Sequence, residues 1–192
     1  MKKTIAFIFL LLFFIIHQSL TTNHRSHAAF EEKEVSARVI GLAGTFTGLA
    51  DDASAIYWNP AGLRLVPVIE FASSYTTLFR MEELGYSVTS LVLPLRRMGT
   101  FGFSYSQFGP SDYRETRLVF SHSFYAIPGF LLGYNVKNMG IRVSDERASS
   151  LGIDLGIAGN ISPQFRFGIM AGNVNGPTVG NTSERFSQIL GM

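Results

Sequence analysis

Leu151-Gly152-Ile153-Asp154-Leu155-Gly156-Ile157-Ala158-Gly159-Asn160-Ile161 is the stretch on which the fold turns. Its odd positions are Leu, Ile, Leu, Ile, Gly and Ile, and its even positions are Gly, Asp, Gly, Ala and Asn. A period of two is that of a β-strand, whose side chains point alternately to opposite faces. Bulky aliphatic groups therefore share one face, and small or polar groups the other.

Working outward, the same habit recurs. In 165–171, Phe165, Phe167, Ile169 and Ala171 oppose Arg166, Gly168 and Met170. In 130–137, Phe130, Leu132, Tyr134 and Val136 oppose Gly133, Asn135 and Lys137. In 114–125, Leu118, Phe120 and Phe124 oppose Glu115, Arg117, Ser121 and Ser123, and in 101–105 Phe101, Phe103 and Tyr105 alternate with Gly102 and Ser104. Residues 69–79 and 86–95 alternate less cleanly, which makes seven candidate strands. Connections at 96–99, 126–129 and 162–164 are short, while 81–84, 109–112 and 144–147 are longer or more charged, as in a meander of hairpins.

Two architectures alternate in this way. A soluble sandwich buries its large residues between two layers and shows charge outside. An outer-membrane barrel turns its large apolar side chains to lipid and lines its interior with small and polar ones. Here the face opposite the bulky one is mostly Gly, Ser, Ala and Asn, where a soluble outer face would carry more Lys, Glu and Thr. That favours the barrel.

Composition agrees. Of 192 residues, 46% are hydrophobic, 13% aromatic and only 16% charged, against roughly 25% charged in a typical soluble domain. There is no cysteine, so neither disulfides nor thiolate metal sites arise. Residues 1–28 read as a signal peptide: Lys2 and Lys3, an apolar core at 5–16, and a small-x-small site at Ser26-His27-Ala28. That core is shorter than the ~20 residues of a spanning helix. Without Lys2, Lys3 and Arg25 the mature chain carries 13 basic against 14 acidic residues, which leaves no basic footprint for nucleic acid.

Between leader and strands lies a segment of another kind, residues 41–63. Gly41, Ala43, Gly44, Gly48 and Ala50 permit close backbone approach. Asp51 and Asp52 read as the N-cap of a short helical run over 53–58. Asn59-Pro60 ends that run, since a residue before proline leaves the helical region, and Ala61 and Gly62 follow. Compact turns with one or two short helices make the pattern of an N-terminal plug. With its Asn-Pro-Ala motif ahead of the first strand, the segment resembles that of the FadL-type outer-membrane transporters. The glycine-rich lead-in with Asp51-Asp52 resembles most the related PorV/PorQ-like barrel proteins.

The expected fold is all-β: an antiparallel meander of an outer-membrane β-barrel with about seven strands, an incomplete barrel, and an N-terminal helical plug. The domains are 1–28 signal peptide, 29–66 plug and 67–192 barrel strands. An open sheet edge in lipid is costly, and the resemblance implies about fourteen strands. A truncated chain is therefore favoured over a self-associating half barrel or a partner that supplies the missing strands.

No catalytic set is expected. His122, the one histidine beyond the leader, shares a face with Phe120 and Phe124 and reads as a wall residue rather than part of a triad. Neither histidine pairs nor cysteines offer metal ligands, and no cofactor is expected. Adjacent carboxylates such as Asp51 and Asp52 diverge on a helix, and residues 41–48 lack the Walker and Rossmann spacings. Glu115, Arg117, Lys137, Asp154 and Arg166 fall on the inner face, where salt bridges to hold the plug are favoured over ligand binding. The resemblance implies either docking of exported proteins or passive passage of a hydrophobic small molecule, with docking slightly ahead, and outer-membrane lipid as the surroundings. A non-functional fragment is the third reading, and an enzyme the least favoured.

Overall fold

The structure is a computed structural model that describes residues 30, 36–95, 97–162, 164–178 and the backbone of 189–191. The leader, its cleavage site and most of the tail lie outside the described residues. The strands are β1 (Glu70–Thr77), β2 (Gly85–Leu95), β3 (Gly99–Phe108), β4 (Tyr113–Ile127), β5 (Phe130–Val143), β6 (Glu146–Ser162), β7 (Phe165–Gly172) and β8 (Ile189–Gly191). They form one sheet in sequence order, antiparallel at every step. The seven long strands make a curled meander, a half-barrel, joined at its last edge by the three residues of β8.

Ahead of the sheet come helix α1 (Ala37–Gly41), helix α2 (Ala55–Trp58) and a 3₁₀ helix (Pro60–Leu65). These elements pack against one face of the sheet. Val39, Phe46, Ala50, Ala53, Ile56, Tyr57, Leu63 and Val66 form a core with Tyr86, Val88 and Val92 of β2 and Val119 of β4. Among the described residues nothing similar covers the other face. Phe71, Tyr75, Leu118, Leu155 and Phe165 are between 50% and 70% exposed. The expected parity is the observed one: Gly152, Asp154 and Gly156 are buried while Leu155 and Ile157 face out.

Two expectations about the strands change. Residues 144–147 are not a loop: only Ser144 and Asp145 connect β5 to β6, with Ser144 at φ +55°. The two strands therefore run 14 and 17 residues, well past the apolar run in each. Backbone pairing continues there, from Asn138↔Leu151 to Val143↔Glu146, although the alternation has reversed: Asn138, Gly140 and Arg142 take the outer positions, and Met139 and Ile141 pack inside with Phe30. The longer connections at the same end are 78–84, with two 3₁₀ turns, and 109–112.

The inner glycines have a reason beyond barrel convention. A Cβ at Gly133 would overlap the backbone of Pro60 and stand 2.7 Å from Ala61 Cα; one at Gly156 would collide with Asn59 Oδ1 and stand 2.9 Å from Pro60 Cδ. The sheet thus presents bare backbone where the segment's own backbone rests. Overpacking such a contact costs about 1–3 kcal/mol, so Gly156→Val should lower the unfolding midpoint. Trp58 is the only tryptophan and sits in this segment, so its emission should shift to the red. An unchanged midpoint and spectrum in urea titration would refute the close approach.

Candidate functional site

The candidate site is the contact between residues 36–66 and the concave face of the sheet. Asn59 is its centre and is fully buried. Its Nδ2 donates to Thr47 O and to Ile157 O of β6, each at 3.0 Å, and its Oδ1 accepts from Ala61 N at 3.1 Å. One amide thereby joins the preceding loop, the sheet and the turn into the 3₁₀ helix. Pro60 fits at the first position of that helix, where its missing N–H costs nothing.

Polar residues of the sheet meet the segment's backbone and hydroxyls. Ser123 Oγ donates to Ala61 O at 2.7 Å, and Asn135 Nδ2 donates to Ile56 O at 2.8 Å. Tyr57 Oη and Ser104 Oγ share a hydrogen bond of 2.6 Å, and Ser104 Oγ also meets Ser90 Oγ at 2.8 Å. The small hydroxyls on this face therefore bond protein groups of the segment.

Behind Asn135 lies a buried ion pair, Lys137 Nζ to Asp154 Oδ1 at 2.7 Å, with side chains 5% and 2% exposed. Asp154 is well solvated by the protein: Asn135 Nδ2 donates to Oδ2 at 2.9 Å and Asn173 N to Oδ1 at 2.9 Å. Ser121 Oγ in turn donates to Asn135 Oδ1. Such a pair survives burial because its geometry is good and its remaining lone pairs are filled. Removing one partner would strand the other charge.

The remaining inner-face charges are separate from this network. Glu115 and Arg117 are buried towards the long-loop end; Tyr113 Oη donates to Glu115 at 2.6 Å, and Arg117 Nη2 donates to Phe30 O at 3.2 Å with its guanidinium 5.9 Å from the Phe30 ring. Arg166 lies at the opposite rim, exposed, 3.9 Å from Asp51 and donating to Leu49 O at 3.3 Å. The expected set of five is thus one tight pair and three outlying residues, each engaged locally.

The capping assignment of the acidic pair holds only in part. Helix α2 begins at Ala55, its N-cap is Ser54, and that residue makes no side-chain cap. Asp51 and Asp52 instead clasp Arg38 Nη1, each at 2.7 Å, and Asp52 Oδ1 also accepts from Ser54 N and Oγ. Asp52 thus serves a backbone amide of the turn and the guanidinium together, and the two carboxylates raise the Arg38 pKa through their hydrogen bonds. Gly41 is the last residue of α1, Gly44 lies in the turn after it at φ +75°, and Gly48 abuts Gly168 N. Gly62 faces Ala50, whose Cβ would be 2.7 Å from an added side chain.

Asn135, Ser121, Asn173 and Arg38 were not singled out by sequence. Only Asn135 and Ser121 carried a signal, their parity with Lys137 and Arg117. His122 sits in the outer wall, stacked 4.5 Å from the Phe101 ring and bonded through Nε2 to Met98 O at 2.8 Å. Among the described residues no group of three or more His, Asp or Glu gathers as a metal site. No family model, curated protein or solved structure matches this chain.

The ion pair gives a sharp expectation. Lys137→Met or Asp154→Leu alone should destabilise by about 3–5 kcal/mol, whereas the double change should cost far less. A double-mutant cycle in urea checks this; additive effects would show that the pair is not coupled.

Proposed function

We propose that this chain is an outer-membrane β-barrel protein of the PorV/PorQ-like type, secretion-associated or structural, in which residues 36–66 act as a plug. The carrying observation is the exposed apolar face. On β6 it runs from Leu151 to Ile161, about 33 Å along the strand and about 25 Å at a tilt near 40°, which equals the apolar band of such barrels. Flanking strands continue it with Phe103, Leu118, Phe124, Phe130 and Ile169. A water-exposed patch of this extent is foreign to monomeric soluble proteins. Among the described residues no helix is long and apolar enough to cross a membrane, and in this reading the strands are the crossing elements.

The docking role is preferred over passage of a hydrophobic molecule because of what lines the free space. A gap of about 280 Å³ opens between the segment and β1–β2. Asp52, Ser54, Glu70 and Ser90 share its walls with Ala53, Ala72 and Val88, a mixed lining that gives no wholly apolar path for an acyl chain. The exposed belt is left to lipid, and the loops at the long-loop end to exported proteins.

Cell fractionation tests the location. The chain should remain with outer membranes after detergent extraction of the inner membrane, and recovery in the soluble periplasmic fraction would end the proposal. Leu155→Arg, at the middle of the band, should cost about 2–4 kcal/mol of membrane stability, read as reduced insertion into phosphatidylcholine vesicles. Asn59→Ala should raise pore leakage and protease access to the segment, and unchanged values would remove the plug role. Co-purification of exported proteins without uptake of labelled fatty acid is the outcome expected for docking; uptake would favour transport.

A further inference from the structure

Three arginines stand side by side on the outer face. Arg114 of β4 is directly opposite Arg142 of β5, and Arg142 is directly opposite Arg147 of β6. All three share the parity of Leu118, Val136 and Leu151, and so belong to the lipid-side face. Opposed Cβ atoms in such ladders lie about 4.5–5.5 Å apart, and like charges there repel. No salt bridge to a carboxylate relieves any of them among the described residues. Arg142 Nη2 donates to Ser111 O at 2.6 Å, but the Nε atoms of Arg114 and Arg142 are shielded from solvent and without a partner. Asp112, Asp145 and Glu146 are the nearby carboxylates in sequence; Asp112 accepts from Ser111 Oγ, and Glu146 has the opposite parity.

The row's height is informative. It lies four residues beyond Leu118 and Leu151, with only Thr116, Gly140 and Ser149 between. That is about 13 Å along the strand, or about 10 Å along the normal at the tilt used above. Arginine stems reach back over such a distance to the headgroup layer. The small middle tier leaves a shelf beneath the guanidiniums. Guanidinium forks match phosphate oxygens in bidentate fashion.

We propose that Arg114, Arg142 and Arg147 form a binding site for the phosphorylated headgroup of a membrane lipid, whose acyl chains lie on the apolar band below. The proposal rests on the outer-membrane reading. A phosphate bridging the three guanidiniums removes the repulsion that the pairing register imposes.

The test compares wild type with Arg114→Gln/Arg142→Gln/Arg147→Gln, both checked for fold by Trp58 emission. In vesicles of phosphatidylcholine alone both should insert equally, and the variant should unfold no earlier than wild type. With phosphatidic acid added, wild type should retain that lipid through detergent extraction at least ten-fold better than the variant and unfold at a higher temperature. Equal retention by the two proteins would overturn the site while leaving the barrel intact. Failure of both to insert into neutral vesicles would overturn the barrel reading and the site with it. Inorganic phosphate should give wild type little protection at millimolar concentration; protection equal to that from the lipid would assign the row to a free anion and overturn the lipid proposal.

Discussion

The structure depends on one backbone-to-backbone contact. Where Asn59, Pro60 and Ala61 meet Gly133 of β5 and Gly156 of β6, neither side has a Cβ to spare. Because the approach is so close, the Asn59 amide reaches a strand carbonyl, and Ser123 and Asn135 reach carbonyls of the segment. A larger residue at either glycine would lift the segment away, and these bonds would open together. Polar groups left buried without partners are expensive. Close packing and polar satisfaction are therefore the same requirement at this point.

The sheet has, as a result, two unlike faces. Its inner face is small and polar because a folded segment lies on it. Its outer face is bulky and apolar, and none of the described residues covers it. The buried Lys137–Asp154 pair sits at the join, linked through Asn135 to the end of helix α2. Its hydrogen bonds and ion pair join β5, β6 and the segment in the observed register.

Much of this was legible in the chain. The alternation in 151–161 gave the strand, its parity and the side Asp154 occupies, and the same logic placed His122 in the wall. Alternation failed at 138–150, because beyond the apolar band the outer positions turn polar and the apolar Met139 and Ile141 move to the inner face, while the backbones remain paired. Composition says nothing about a hydrogen-bond ladder. The Asp51–Asp52 pair was half legible for a different reason: capping is a local inference that finds the Asp52 contact with Ser54 N, but not Arg38, thirteen residues before Asp51, which both carboxylates also bind. The glycines at 133 and 156 could be assigned to the inner face by parity. What they touch could not, since contacts with Asn59 and Ala61 join positions far apart in the chain.

That separation governs how the molecule is built. The segment is translated before any strand, yet its hydrogen-bonded partners lie 62, 79, 98 and 117 positions later, at Ser123, Asn135, Ile157 and Arg166. Contacts of such range close large loops and form slowly. The hairpins of the meander pair between neighbours, whereas the segment ahead of them has its full set of partners only once β6 and β7 are in place. Until then Phe46, Ile56 and Leu63 have only part of their eventual shelter, and a partly folded chain with such surface exposed is open to aggregation and to proteases.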